Sequence, residues 1–201
     1  MASTSWRPAS SLLTGTERNR ASRFTQPSDA AAFLFRRAFT RIVLGRSGGR
    51  QPGDLVLSQE CPHCGHPHHG KPRLTSSEDD LEFSVSRSGS VVAVAVTVGS
   101  PIGFDIECAG LEESGALVEW TRKEAVLKCI GIGLALDPRQ LVVSAVNEPP
   151  AVVHLPPRYG SPAQFDLRPV HLRDDVIGHL AVFGGRLDIV VGDGAPLLDC
   201  V

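Results

Sequence analysis

The tightest constraint on the fold lies in residues 82–128. Three segments, EFSVS (82–86), VVAVAVTV (91–98) and IGFDIE (102–107), are separated only by the short glycine-containing turns RSGS and GSP. Apolar side chains at strand spacing, broken by turns this short, predict an antiparallel meander. The unbroken apolar run 91–98 predicts its buried centre. A glycine inside a strand, Gly103, predicts close approach of another backbone or of a ligand. The next regular segment, WTRKEAVLKCIGIGL, predicts a helix opening at residue 120 and ended by Gly131 and Gly133. Residues 108–119 are then a short connection.

This stretch also gathers charge. Side chains alternate along a strand, so Asp105 and Glu107 share one face while Phe104 and Ile106 take the other. Residues four apart stack on a helix, so Glu124 and Lys128 also point together. With strand and helix side by side, three carboxylates converge beside one lysine. Clustered carboxylates repel unless a cation sits among them, and an all-oxygen site suits Mg²⁺, which commonly accompanies a phosphate substrate. A plainer reading stands beside this one. Thr121 and Glu124 fit the capping box S/T-x-x-E, and Glu124–Lys128 fits an ordinary i,i+4 ion pair.

The remainder of the chain supplies candidates for anion contact. Residues 1–50 carry nine arginines against Glu17 and Asp29, whereas the whole 201-residue chain has net charge −2. Residues 1–23, rich in Ser, Thr, Arg and Pro, predict a disordered tail. A helix is predicted over 29–44, with Asp29 as N-cap and Gly45 as terminator, and Arg37 and Arg41 share one of its faces. Guanidinium pairs of this kind match phosphate geometry. A short strand is predicted at 54–58. In CPHCGHPHHGKP (61–72), Cys61 and Cys64 with His63, His66, His68 and His69 form half of a structural zinc site, but a second cysteine pair is missing. The alternative is a histidine-rich turn presenting Lys71. Strands are predicted for LVVSAV, AQFDLRPV, VIGHLAVFG and RLDIVVG in the C-terminal third, where His154, His171 and His179 receive no role. No basic run interleaved with aromatics points to nucleic acid, and no apolar run reaches the length of a membrane span. Five cysteines without framework spacing predict a reduced, cytoplasmic protein.

Taken together, IGFDIE (102–107) and WTRKEAVLK (120–128) resemble the signature of 4′-phosphopantetheinyl transferases of the surfactin-synthetase-activating type. HGKP (69–72), FSVSRS (83–88) and FRRAFTRIVLGR (35–46) stand in the matching order, and the resemblance extends over residues 24–190. It implies an α+β fold of two pseudo-symmetric halves, each a helix packed on a small antiparallel sheet. The halves would span 24–100, with the coenzyme A phosphate contacts, and 101–201, with the metal and catalytic residues. It also implies transfer of the 4′-phosphopantetheine arm of coenzyme A to a serine of an apo carrier protein, as in holo-acyl-carrier-protein synthases. The carrier would be of fatty-acid, polyketide or nonribosomal-peptide type, and the enzyme would act as a monomer without nucleic-acid or membrane partners.

Within that resemblance, Asp105, Glu107 and Glu124 hold Mg²⁺, Glu124 is the catalytic base, and Lys128 stabilises charge on phosphate oxygen. Lys71, Arg37 and Arg41 contact the 3′-phosphate and pyrophosphate. Ser86 contacts the nucleotide, and Arg87 stands where the family has histidine. The connection of twelve residues, 108–119, is shorter than the family's. A degenerate member that binds coenzyme A or carrier without turnover, and a zinc-binding interaction module at Cys61–His69, are the alternatives.

Overall fold

The computed structural model describes residues 10–60, 64–65, 70–75, 80–109 and 114–198. The chain forms two compact units: residues 1–56 with 191–201, and residues 57–190. All strand pairings are antiparallel, in small sheets accompanied by several helices. This mixed architecture agrees with an α+β class. No helix among the described residues is long and apolar enough to cross a membrane.

The first unit is helical. Helix α1, Gly15–Ala21, opens on a capping box in which Thr14 Oγ1 accepts from the Glu17 amide and the Glu17 carboxylate accepts from the Thr14 amide. A cap of this kind is worth about 1 kcal/mol. Residues 15–21 of the segment expected as a tail are therefore a capped helix. Helix α2 runs Pro27–Gly48, longer at both ends than the expected 29–44. Pro27 suits its first turn because the missing N–H has no helical partner there. The helix continues through Gly45 and is closed by Gly49 at φ 64°. Gly45 has a different use: a Cβ there would lie 2.7 Å from the Arg50 carbonyl oxygen. Its absence lets the chain fold back over the helix end. Phe33, Ala38, Ile42 and Leu44 are buried along α2, and α4, Ala195–Leu198, adds Leu198.

The described residues of the second unit form nine short strands. β1 (Leu57–Gln59) pairs with β2 (Pro72–Leu74), and β3 (Leu81–Ser88) with β4 (Val91–Val98). β5 (Ile102–Cys108) pairs with β9 (Val176–Phe183), which also pairs with β8 (Phe165–Pro169). β6 (Val142–Val143) and β7 (Val152–His154) form a separate hairpin. The expected meander is thus interrupted: β5 takes β9, not β4, as its backbone partner. Accordingly β4 is not the buried centre of a sheet. Among the described residues its one ladder is with β3, and its residues are half-buried, Val98 being exposed. The expected strand at RLDIVVG does not form, and Val190 there is 93% exposed.

Helix α3 spans Ser114–Ile130 and packs on the three-stranded sheet. It begins inside the expected connection, so only residues 109–113 separate it from β5. Ala125, Val126, Leu127 and Cys129 join Phe165, Leu167 and Ala181 in a core on this side. Ile102, Phe104, Ile106, Leu180 and Val182 form a second core with Val91, Ala93 and Ala95 of β4. Gly103 is where helix and strand touch. A Cβ at this position would lie 1.9 Å from the Ala125 carbonyl oxygen and 2.2 Å from the Cys129 amide nitrogen. The close approach expected from its place in the strand is made by helix backbone.

Candidate functional site

Three alternate serines of β3 join that strand to β5 by side chain instead of by backbone. Ser84 Oγ accepts from the Phe104 amide (2.9 Å), Ser86 Oγ from the Ile106 amide (3.2 Å) and Ser88 Oγ from the Cys108 amide (2.9 Å). Amides on one edge of a strand recur every second residue, so only a serine at every second position can follow them. The same hydroxyls carry the acidic side chains of β5. Ser86 donates to Asp105 Oδ1 (2.8 Å), and Ser88 donates to Glu107 Oε2 (2.7 Å).

From α3, Lys128 Nζ donates to Asp105 Oδ1 (2.6 Å) and to Ser86 Oγ (3.1 Å). The structure therefore brings Asp105 and Lys128 together as the sequence reading expected, with Ser86 between them. One proton and both lone pairs of the Ser86 hydroxyl are engaged within the protein. Asp105 is 4% exposed, and its Oδ2 is a buried acceptor with no hydrogen-bond partner among the described residues. Glu124 stands near enough to feel all three neighbours. Burial raises its pKa, Lys128 lowers it, and Asp105 and Glu107 raise it again. Its side chain does not cap the helix, since α3 opens two turns earlier. Thr121 Oγ1 instead donates back to the Leu117 carbonyl (2.8 Å).

An oxygen-only donor set, one orphaned carboxylate oxygen and a glutamate disfavoured in its charged form are features that a hard divalent cation would relieve. Asp105, Glu107 and Glu124 fit such an ion by chemistry. As the side chains stand, however, no three acidic, histidine or cysteine groups among the described residues are gathered to ligate a metal. The Lys128 ammonium supplies positive charge to Asp105 Oδ1, while Oδ2 stays without a partner among the described residues.

The phosphate-contact candidates are distributed differently. Arg41 is 1% exposed, and its guanidinium donates to Glu17 Oε2 (3.2 Å) and to the Leu55 carbonyl. Arg37 Nε lies 3.8 Å from Glu17 Oε1, and burial lowers the Arg37 pKa while Glu17 opposes the shift. Both arginines thus belong to an ion cluster inside the first unit, not to an open clamp. The sequence reading could not see this because Glu17 lies in the segment taken for a tail. Lys71 is half-buried beside Glu82 (3.2 Å) and donates to the Ile102 carbonyl (2.8 Å). Arg87 is exposed and donates to the Gly89 carbonyl of its own hairpin (3.2 Å). Cys61, His63, His66, His68 and His69 lie outside the described residues, and Cys64 is exposed.

Sequence reasoning missed a buried polar cluster on the same helix. His179, left without a role, is 3% exposed and sits opposite Asp105 in the β5–β9 register. Its Nδ1 lies 2.8 Å from Thr121 Oγ1, and Arg122 Nε donates to its Nε2 (3.4 Å). Burial first, then the Arg122 charge, push the imidazole down to about 4 from an ordinary 6.5. The folded protein therefore refuses a proton that the unfolded chain accepts. The resulting stabilisation is complete above pH 6.5 and is lost as pH falls through about 4. Urea titrations across that window are expected to show a shallower acid loss in His179→Asn than in the wild type.

The chain matches no protein-family model and no curated protein sequence.

Proposed function

We propose that the chain is a Mg²⁺-dependent 4′-phosphopantetheinyl transferase that loads apo carrier proteins from coenzyme A. The observation that carries the reading is the joint placement of Asp105, Glu107, Glu124 and Lys128 where β5 meets α3, with Asp105 Oδ2 unpartnered. The motif resemblance of IGFDIE and WTRKEAVLK supports it. Asp105, Glu107 and Glu124 would hold the ion, which when bound supplies positive charge to the pyrophosphate oxygens.

In the reaction, the carrier serine Oγ bonds to the β-phosphorus of coenzyme A, and the pyrophosphate P–O bond breaks to release adenosine 3′,5′-bisphosphate. Glu124 takes the serine proton, directly or through a water. Burial, the largest cause of its raised pKa, makes it a stronger base than an ordinary carboxylate. Lys128, released from Asp105, offers its ammonium to a phosphate oxygen. The unit boundaries differ from the 24–100 and 101–201 division, but a helix on a small antiparallel sheet in residues 57–190 suits one half of the transferase fold. A cytoplasmic, monomeric enzyme belongs to the same proposal.

The test is incubation of the purified protein with coenzyme A, Mg²⁺ and a panel of apo carriers, with mass spectrometry of the carrier serine. Absence of the added arm on every carrier, from folded protein, overturns the reading.

A second reading, a non-catalytic binder of coenzyme A or carrier, is favoured by the engagement of Lys71 with Glu82 and by Arg87 turning to its own hairpin. Calorimetry showing coenzyme A binding without loading would select it. The ion pair gives a further expectation. Lys128→Met removes the internal competitor at Asp105, so Mg²⁺ titrated alone should bind about five-fold more tightly than to the wild type.

A further inference from the structure

Helix α3 rests on the sheet through apolar groups, with Ala125 and Cys129 over Gly103, and Val126 and Leu127 in the same core as Phe165, Leu167 and Ala181. Apolar contacts of this kind are non-directional, so polar contacts add the directional part of the helix's placement. Two of its polar contacts reach paired residues of β5 and β9. One is Lys128–Asp105, in the site described above. The other is Thr121–His179, seven residues earlier, or about 10 Å along the helix axis. Asp105 and His179 are directly paired on adjacent strands. Glu124 lies on the helix between the two contacts.

We propose that His179 is the positioning residue of this site: it fixes α3 so that Glu124 and Lys128 stand at Asp105 and Glu107. Its role in catalysis rests on the transferase reading; its role in placing Lys128 does not. The hydrogen bonds define one arrangement. The Thr121 hydroxyl gives its proton to the Leu117 carbonyl (2.8 Å), so it accepts from His179 Nδ1–H (2.8 Å). The lone pair left on Nε2 then receives Arg122 Nε–H (3.4 Å). This assigns the neutral Nδ1–H tautomer.

Arg122, itself 3% exposed, extends the tie. Its Nη1 donates to the Ser144 and Ala145 carbonyls (2.8 and 2.7 Å), and its Nη2 to the Glu148 carbonyl (3.1 Å). Ser144 Oγ in turn accepts from the Ala151 amide (2.9 Å) and donates to the Pro149 carbonyl (2.8 Å). A buried polar group costs stability unless it is bonded, and here each member is. An apolar set of equal volume would hold the helix as firmly but would not choose its register.

The experiment compares His179→Leu, Thr121→Val and His179→Asn with the wild type. Leucine removes both hydrogen bonds; valine removes the hydroxyl; asparagine keeps a donor for Thr121. Two readouts are used: ¹⁵Nζ NMR of Lys128, and kcat separately from KM for coenzyme A in carrier loading. In folded His179→Leu the Lys128 signal is expected to lose its protection from solvent exchange. A displacement of about 1 Å in the catalytic groups costs about 100-fold in kcat with KM unchanged. Thr121→Val should reproduce both effects, adding nothing in the double variant, and His179→Asn should recover them in large part. An unchanged Lys128 signal in folded His179→Leu overturns the proposal, as does a fall in stability with kcat unaltered. A wild-type protein that loads no carrier overturns the transferase reading alone, and the NMR arm then upholds or overturns the positioning of Lys128.

Discussion

Glu124→Gln is expected to lose carrier loading by about 10²–10⁴-fold, the usual loss when a positioned general base is removed. The same change should stabilise the metal-free protein at neutral pH. Burial is the largest cause of the raised Glu124 pKa, followed by the opposing Lys128 and the two neighbouring carboxylates. A folded-state pKa above the ordinary 4.5 means that the folded protein binds a proton more firmly than the unfolded chain does. Ionisation of Glu124 therefore costs stability as pH rises above 4.5 and through the folded value. Glutamine, which cannot ionise, removes that loss, so the variant's advantage should vanish when melting is measured below pH 4.5. Activity and stability moving in opposite directions would distinguish a base from a structural carboxylate. Loading that survives the substitution would remove Glu124 from the mechanism.

Gly103→Ala is expected to give the largest structural effect of any single methyl group in the second unit. The added Cβ would meet the Ala125 carbonyl oxygen at 1.9 Å and the Cys129 amide nitrogen at 2.2 Å. Overpacking against movable side chains costs about 1–3 kcal/mol, and here the obstacles are the backbone atoms of a helix, which places the loss at or above the top of that range. Any relief that lifts α3 also lifts Glu124 and Lys128 away from Asp105. Urea denaturation and loading should therefore fall together. Gly115→Ala, in the same helix, is the control: a Cβ there meets nothing within 4 Å, and no loss is expected.

The local elements of this region are legible in the sequence because their spacing is set by local geometry. Alternation exposes β3, β4, β5 and β9, and the four-residue step from Glu124 to Lys128 exposes one face of α3. Pairing partners are not written locally. β9 reaches β5 from some seventy residues away, and nothing in VVAVAVTV reveals that it has a single ladder partner. Likewise, Thr121-x-x-Glu124 has the form of a helix start. Yet Leu117 and Val118 continue the helix upstream, and Thr121 turns its hydroxyl back to them. Buried polar residues are the hardest to anticipate. Nothing beside Arg41, Arg122 or His179 in the sequence announces that Glu17, Ser144 and Thr121 face them. The carboxylates were found for the opposite reason: their arrangement on strand and helix follows from periodicity alone.

The serine seam between β3 and β5 carries a further consequence. In an ordinary ladder, the atoms that join two strands are backbone atoms, indifferent to sequence, and any residue can be exchanged without unpicking the join. Here the join is made of three side-chain oxygens, and two of them also orient Asp105 and Glu107. Architecture and chemistry draw on the same hydroxyls. Ser86 and Ser88 therefore cannot drift independently of the acidic pair, whereas Ser84, which touches only backbone, can be judged by folding alone. The seam converts part of the fold into a constraint on which charges the site can hold.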